Sequence, residues 1–192
     1  MQWAYTWLLR LGTPYVLVRL FWRGLRQRAY WHRIPERFGF VPPLTASRVI
    51  WIHAVSVGEV RAAVPLVRAL IARYPEHRLL LTTTTPTGAA TVKSAFEDVD
   101  HRYAPYDLPS AVTRFLDRAH PSVAIVMETE LWPNTFRLCK ERAIPVCVVN
   151  VRMSEAAMHR YLRVARFTRA TLANTTVLAA QSTADAERLR TL

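Results

Sequence analysis

Trp51-Ile52-His53-Ala54-Val55-Ser56-Val57-Gly58-Glu59 closes an apolar run that begins at Val49 and stops in small residues and a glycine. A helical pattern, Val60 to Arg73, follows directly, and Glu59 stands at its first turn. A buried strand feeding a helix through so short a turn is a βα unit. In an open parallel sheet its junction lies at the carboxyl end of the strand, where ligands bind. A carboxylate there can act as a base, and the amides beside it can receive an anion. It can equally do no more than complement the helix dipole.

Working outward, the same alternation continues. Strands are predicted at Val49–Ala54, Leu79–Thr83, His101–Tyr103, Val123–Met127, Val146–Val149 and Val177–Ala180. Helices are predicted at Val60–Arg73, Thr87–Phe96, Pro109–Ala119, Pro133–Arg142 and Ser154–Ala173, and from Thr183 onward. The strands are continuous apolar runs, which implies burial on both faces by flanking helices. Pro109 and Pro133 suit a first helical turn, and Ser154 suits an N-cap. The expected fold is therefore α/β, a Rossmann-like parallel sheet with helices on both faces.

In that fold the polar residues just past each strand converge on one rim. They are His53, Ser56, Gly58 and Glu59; the threonine run Thr82 to Thr87, with Thr85, and Gly88; Tyr106 and Asp107; Glu128 and Glu130; and Asn150 and Arg152. One of Glu128 and Glu130 is expected to point into the site, where it could hold a hydroxyl, position a base or bond a loop amide. Arg152 could grip a phosphate or carboxylate. No GxGxxG or GxxxxGK[ST] occurs, so dinucleotide and P-loop readings lose their main support. Cys139 and Cys147 have no ligand spacing around them, so neither a metal site nor a disulfide framework is expected.

The chain has 192 residues and a formal net charge of +12, nearly all from arginine, which calls for an acidic partner. Residues Met1 to Trp22 are nearly all apolar or aromatic, interrupted by Arg10 and Arg19. Arginines at 23, 26, 28, 33 and 37 follow. Tryptophan and tyrosine beside arginine suit a bilayer interface. The segment is expected either to lie in an anionic membrane surface or to form a short tilted anchor. Nucleic acid is not an expected partner, because no RNP-like sequence or zinc finger accompanies the charge.

Six segments together resemble the amino-terminal half of the 3-deoxy-D-manno-octulosonic acid (Kdo) transferases: HAVSVGE at His53–Glu59, VPLVRAL at Val64–Leu70, TTTTPTG at Thr82–Gly88, PYDLP at Pro105–Pro109, METELWPN at Met127–Asn134 and AAQS at Ala179–Ser182. NVRMSEAA at Asn150–Ala157 is similar to a further family motif but departs from it at Val151 and after Ser154. The resemblance implies the amino-terminal domain of a two-domain GT-B glycosyltransferase. Residues 1–40 would be a membrane-associating helical segment and residues 41–192 the Rossmann-like acceptor-side domain, the donor-binding carboxyl-terminal domain lying outside this chain. It implies inverting transfer of Kdo from CMP-Kdo to a lipid A precursor, at the cytoplasmic face of the inner membrane, with Glu59 as proton acceptor and Glu128 or Glu130 also required. His53, Ser56, Gly58, Thr85, Gly88, Asn150 and Arg152 would contact substrate. No cofactor is expected beyond the donor CMP-Kdo. The isolated half is expected to be inactive, and a non-catalytic, basic membrane-surface module is the alternative.

Overall fold

The computed structural model describes residues 2–46 and 48–192, so Met1 of the amino-terminal run lies outside it. Six strands form one sheet: β1 (Val49–His53), β2 (Arg78–Thr83), β3 (Asp100–Tyr103), β4 (Pro121–Met127), β5 (Val146–Val151) and β6 (Val177–Ala180). All pairings are parallel, in the order β3-β2-β1-β4-β5-β6. The chain winds outward one way from β1 and then the other way from β4. The switch between β1 and β4 opens a crevice at their carboxyl ends, the ligand position in such sheets.

Helices α2 (Val57–Arg73), α3 (Pro86–Ala95), α4 (Pro109–Ala119), α5 (Pro133–Glu141), α6 (Glu155–Leu162), α7 (Ala165–Leu172) and α8 (Thr183–Arg190) follow the strands in turn. The pleat of β1 sends successive side chains to opposite faces and divides the core in two. Val49 and Trp51 join Phe115 and Phe136 beneath α4 and α5. Ile50 and Ile52 join Val60, Val67 and Val92 beneath α2 and α3. Every predicted strand is present. Pro109 and Pro133 open their helices, and the Ser154 hydroxyl caps α6 by accepting the Ala157 amide.

The long helix expected from Ser154 to Ala173 is instead two helices. Val164 leaves the helical region (φ −123°, ψ 35°), and the Tyr161 carbonyl takes the Val164 amide at 3.1 Å and the Thr168 hydroxyl at 3.2 Å. The apolar rhythm continues across the break, so periodicity alone could not locate it.

Ahead of the sheet, α1 spans Gln2–Arg26, 25 residues, and leads through two 3-10 turns, Arg28–Trp31 and Ile34–Phe38, onto the domain. Val41 enters the core, and Glu36 receives the Tyr103 amide at 2.8 Å. Gly39 has φ +83°, and a Cβ there would stand 2.1 Å from the Ala111 carbonyl oxygen, so only glycine allows this turn to touch α4. The outward face of α1 is apolar and uncovered: Trp3 is 74% exposed and Leu11 75%, with Leu8, Tyr15, Phe21 and Trp22 beside them. No helix among the described residues is long and apolar enough to cross a membrane.

Candidate active site

The turn after β1 builds the site's centre. Ser56 is the N-cap of α2 and receives the Glu59 amide, so Glu59 falls on the first helical turn. Its carboxylate folds back over the turn: Oε2 accepts the Val55 amide at 2.7 Å and Oε1 the Ser56 hydroxyl at 3.0 Å. This is a variant of the capping box, in which the amide served is one residue earlier than usual. Burial is the largest influence on Glu59 and pushes its pKa up; the two hydrogen bonds oppose this, and Glu128 reinforces it. A helix amino terminus favours the ionised, less basic carboxylate; here burial and a neighbouring carboxylate work the other way.

Across the switch, the loop after β4 carries Glu128 and Glu130. Glu128 adopts a left-handed conformation at φ 59°, uncommon for a residue with a long side chain, while its amide remains bonded to the Val149 carbonyl at 2.8 Å. A strained non-glycine residue at a ligand crevice is an observed outlier of the kind that gathers at functional sites. Glu130 is raised in pKa by burial first and then by Glu59 and Glu128. The three carboxylates therefore share one electrostatic neighbourhood, although no group of acidic or imidazole side chains among the described residues is close enough to hold a metal.

The remaining rim residues divide by role. Thr85 caps α3 by accepting the Gly88 amide at 3.1 Å, and a Cβ at Gly88 would lie 3.0 Å from that hydroxyl, so the pair shapes a tight turn. A Cβ at Gly58 would meet only the Ser56 hydroxyl, at an ordinary 3.8 Å, and the position needs no special backbone angle. Asn150 sits at φ 58°, at the irregularity where β5 leaves register with β6. The Arg152 amide donates to the Thr129 hydroxyl at 3.2 Å, tying the β4 and β5 loops together. Ser56, Glu59, Glu128, Glu130, Asn150 and Arg152 thus share the carboxyl-end rim around the switch.

His53 does not share it in the way the sequence suggested. Its ring is 4% exposed, bonded through Nδ1 to the Thr82 hydroxyl at 2.9 Å and packed edge-on against Trp132 at 5.1 Å. Burial lowers its pKa to about 4, so it is a neutral core side chain near pH 7. Asp107 is likewise structural. Oδ1 accepts the Thr135 amide (2.7 Å) and hydroxyl (2.6 Å), and Oδ2 the Asn134 amide (3.0 Å) and Tyr5 hydroxyl (2.9 Å). It caps α5 and fastens α1 to it.

A residue the sequence reading passed over is Arg37, one of many arginines there but 3% exposed in the fold. Its Nη1 donates to the Thr84 carbonyl at 2.9 Å, and its guanidinium lies over the Tyr103 ring at 4.3 Å. The one sequence signal was its place in Glu36-Arg37-Phe38-Gly39, where a turn brings charge back onto the sheet.

The family model described as 3-Deoxy-D-manno-octulosonic-acid transferase (kdotransferase) matches residues 32–192. A 3-deoxy-D-manno-octulosonic acid transferase of Haemophilus influenzae is 40% identical over 98% of this chain and 45% of its own length. One from Bordetella pertussis is 34% identical, covering 97% of this chain and 45% of the relative. A probable mitochondrial one from Arabidopsis thaliana is 37% identical over 78% of this chain and 34% of the relative. The chain thus spans about half or less of the length of these relatives. Among solved structures, a UDP-GlcNAc 2-epimerase from Neisseria meningitidis superposes with a TM-score of 0.55 at 14% identity, covering 75% of this chain and 43% of the epimerase. That likeness concerns fold alone and agrees with a GT-B type Rossmann-like domain. By the family match across most of its length, the chain belongs to the 3-deoxy-D-manno-octulosonic-acid transferases.

Proposed function

We propose that this domain is the acceptor side of an inverting Kdo transferase that moves Kdo from CMP-Kdo to a lipid A precursor. The observation that carries the reading is Glu59 itself. It stands at the switch point of the sheet, is held by two hydrogen bonds and is made more basic by burial and by Glu128. A base with a raised pKa accepts a proton more readily while remaining anchored. In the proposed step Glu59 removes the proton from an acceptor hydroxyl as that oxygen forms its bond to the anomeric carbon of Kdo. The bond from that carbon to the CMP phosphate breaks, its electron pair leaving with CMP, and the anomeric centre inverts. Glu128 disfavours the ionised form of Glu59 and so strengthens its hold on a proton; with Glu130 it offers acceptors for sugar hydroxyls. The donor is held by a second domain facing this rim.

The exposed aromatic face of α1 supports attachment to an anionic membrane surface, cytoplasmic in the proposal, where the lipid acceptor resides. The rival, a non-catalytic membrane-surface module, uses this face and the arginines but gives no role to the paired switch-point carboxylates.

The deciding experiment is Kdo transfer by the two-domain protein carrying Glu59→Gln, a change that keeps size and hydrogen bonding but cannot accept the proton. Turnover is expected to fall by about two to four orders of magnitude with acceptor binding retained. A correctly folded variant with turnover within a few-fold of the parent would reduce Glu59 to a helix cap.

A further inference from the structure

Arg37 is a buried cation with half of its hydrogen-bonding edge unused. Nη1 is spent on the Thr84 carbonyl, whereas Nε and Nη2 are buried and complete no well-formed hydrogen bond among the described residues, the Tyr106 phenol being the acceptor beside the guanidinium. Nε and Nη2 lie on one edge of the guanidinium and form the parallel fork that grips carboxylates and phosphates in two bonds. None of the ion pairs among the described residues involves Arg37. A buried charge without a counter-ion is costly, and a bound anion removes that cost.

The place of this fork is informative. Thr84, whose carbonyl holds Nη1, donates its own amide (3.3 Å) and hydroxyl (3.0 Å) to the Val55 carbonyl. The Val55 amide in turn donates to Glu59 at 2.7 Å. Two residues, Thr84 and Val55, and their hydrogen bonds therefore join the guanidinium to the proposed base on the same rim. Tyr106, partly exposed and packed edge-on against Phe38 at 5.4 Å, places its phenol against the guanidinium at the open side of this fork.

We infer that the Nε/Nη2 edge of Arg37 is the receptor for a phosphomonoester, seated on the rim beside Glu59 so that the phosphate of an acceptor sugar fixes the attacking hydroxyl. This rests on the acceptor-side reading and names the group through which the acceptor is held. The shared chemistry is a dianionic monoester. It comes either from a sugar phosphate or from a lipid headgroup.

The test is calorimetric titration of the 192-residue chain with glucosamine 1-phosphate, alongside sedimentation with vesicles of phosphatidic acid or phosphatidylglycerol. Arg37→Gln is expected to weaken binding by about tenfold to a hundredfold. Arg37→Lys should lie close to it, because a point charge does not replace the fork. Arg61→Gln, which removes an equal charge from an exposed site on α2, should stay within about twofold of the parent. Loss confined to the sugar phosphate assigns the edge to the acceptor sugar, and loss confined to phosphatidic acid assigns it to a headgroup. Equal effects of Arg37→Gln and Arg61→Gln overturn the site. If Arg37→Gln does not fold, the Arg37 Nε–H resonance, identified by its absence in Arg37→Lys, carries the test. A resonance unmoved by glucosamine 1-phosphate ends the proposal. In the two-domain protein, an unchanged acceptor KM in Arg37→Gln with transfer abolished in Glu59→Gln removes the anion site and leaves the transferase reading. Transfer that survives Glu59→Gln, with phosphate binding still lost in Arg37→Gln, removes the reading and leaves the site.

Discussion

Glu59 and Asp107 are both buried carboxylates beside helix amino termini at the carboxyl end of the sheet, yet they are built for different purposes. An ionised carboxylate has about four lone-pair sites. Asp107 fills four, from Tyr5, Asn134 and twice from Thr135. Glu59 fills two, from Val55 and Ser56, and faces Glu128 and Glu130 across the crevice. Burial raises both pKa values. The difference lies in what is left over: Asp107 has no room for a proton or a ligand, and Glu59 has room for either. Saturation suits a structural carboxylate, and unused valence suits the base proposed for Glu59.

The largest effect expected from this contrast is a separation of activity from stability. Glu59→Gln should cost the two-domain enzyme about two to four orders of magnitude in turnover. Its melting temperature should not fall, because the amide oxygen still accepts the Val55 amide and the amide nitrogen can donate to Ser56. Asp107→Asn should do the reverse. An asparagine turns one acceptor into a donor aimed at other donors, leaving at least one buried N–H or O–H unpaired. That costs about 1–3 kcal/mol, or about 2–4 °C in melting temperature for each kcal/mol in a chain of this size. Thermal melts and transfer rates of the two variants would break the comparison if their effects changed places.

The positions of these residues were only partly legible in the chain. The strands were plain because buried parallel strands are continuous apolar runs, and the place of Glu59 was plain because it stands in the first turn of the helix that follows one. The capping serine at 154 and the prolines at 109 and 133 were legible for the same local reason. What sequence could not supply was the direction of each polar side chain. His53 ends a strand, like a site residue, but the pleat turns it under Trp132. Asp107 follows a strand like Glu59, but its partners Tyr5 and Thr135 are distant in sequence. Arg37 is one of many arginines until a 3-10 turn and Gly39 fold it against Thr84. Long-range contacts decide these cases, and a local pattern does not contain them.

A second, smaller effect separates the two faces of α1. Its inner face is fixed by the same knot: Tyr5 to Asp107 at 2.9 Å, Thr6 to the Asn134 side chain at 3.0 Å, and Gln2 to the Pro133 carbonyl at 3.1 Å. Its outer face presents Trp7 and Leu11 to solvent. Trp7→Ser with Leu11→Ser should reduce co-sedimentation with anionic vesicles by about tenfold, since fully burying such a side chain is worth about 1.5–3 kcal/mol and an interface buries it in part. The melting temperature should barely move. Tyr5→Phe should do the opposite, lowering stability while vesicle binding holds. Equal vesicle binding by the parent and the Trp7/Leu11 variant would exclude this face as the membrane contact.

The smallest effect is in pH dependence, and it tests the physical basis of the Glu59 reading most directly. A carboxyl whose folded pKa lies above its unfolded value near 4.5 binds its proton more tightly in the folded state. Its contribution to stability is therefore full below the unfolded pKa and is lost as pH rises through the folded pKa. Replacement by glutamine removes that loss. The Glu59→Gln variant should thus gain on the parent from about pH 4.5 upward and hold a constant advantage once Glu59 is fully ionised in the parent. Glu130→Gln should show the same sign, since its pKa is raised by burial, Glu59 and Glu128. In the double variant the combined advantage should fall short of additive, because each glutamine has already relieved the repulsion felt by the other carboxylate. Melting curves between pH 4 and pH 8 measure all three. A parent that instead becomes more stable than Glu59→Gln as pH rises would mean that the Val55 and Ser56 hydrogen bonds outweigh burial. Glu59 would then be a fixed anion serving the helix, as saturated in effect as Asp107, and a poor candidate for the base.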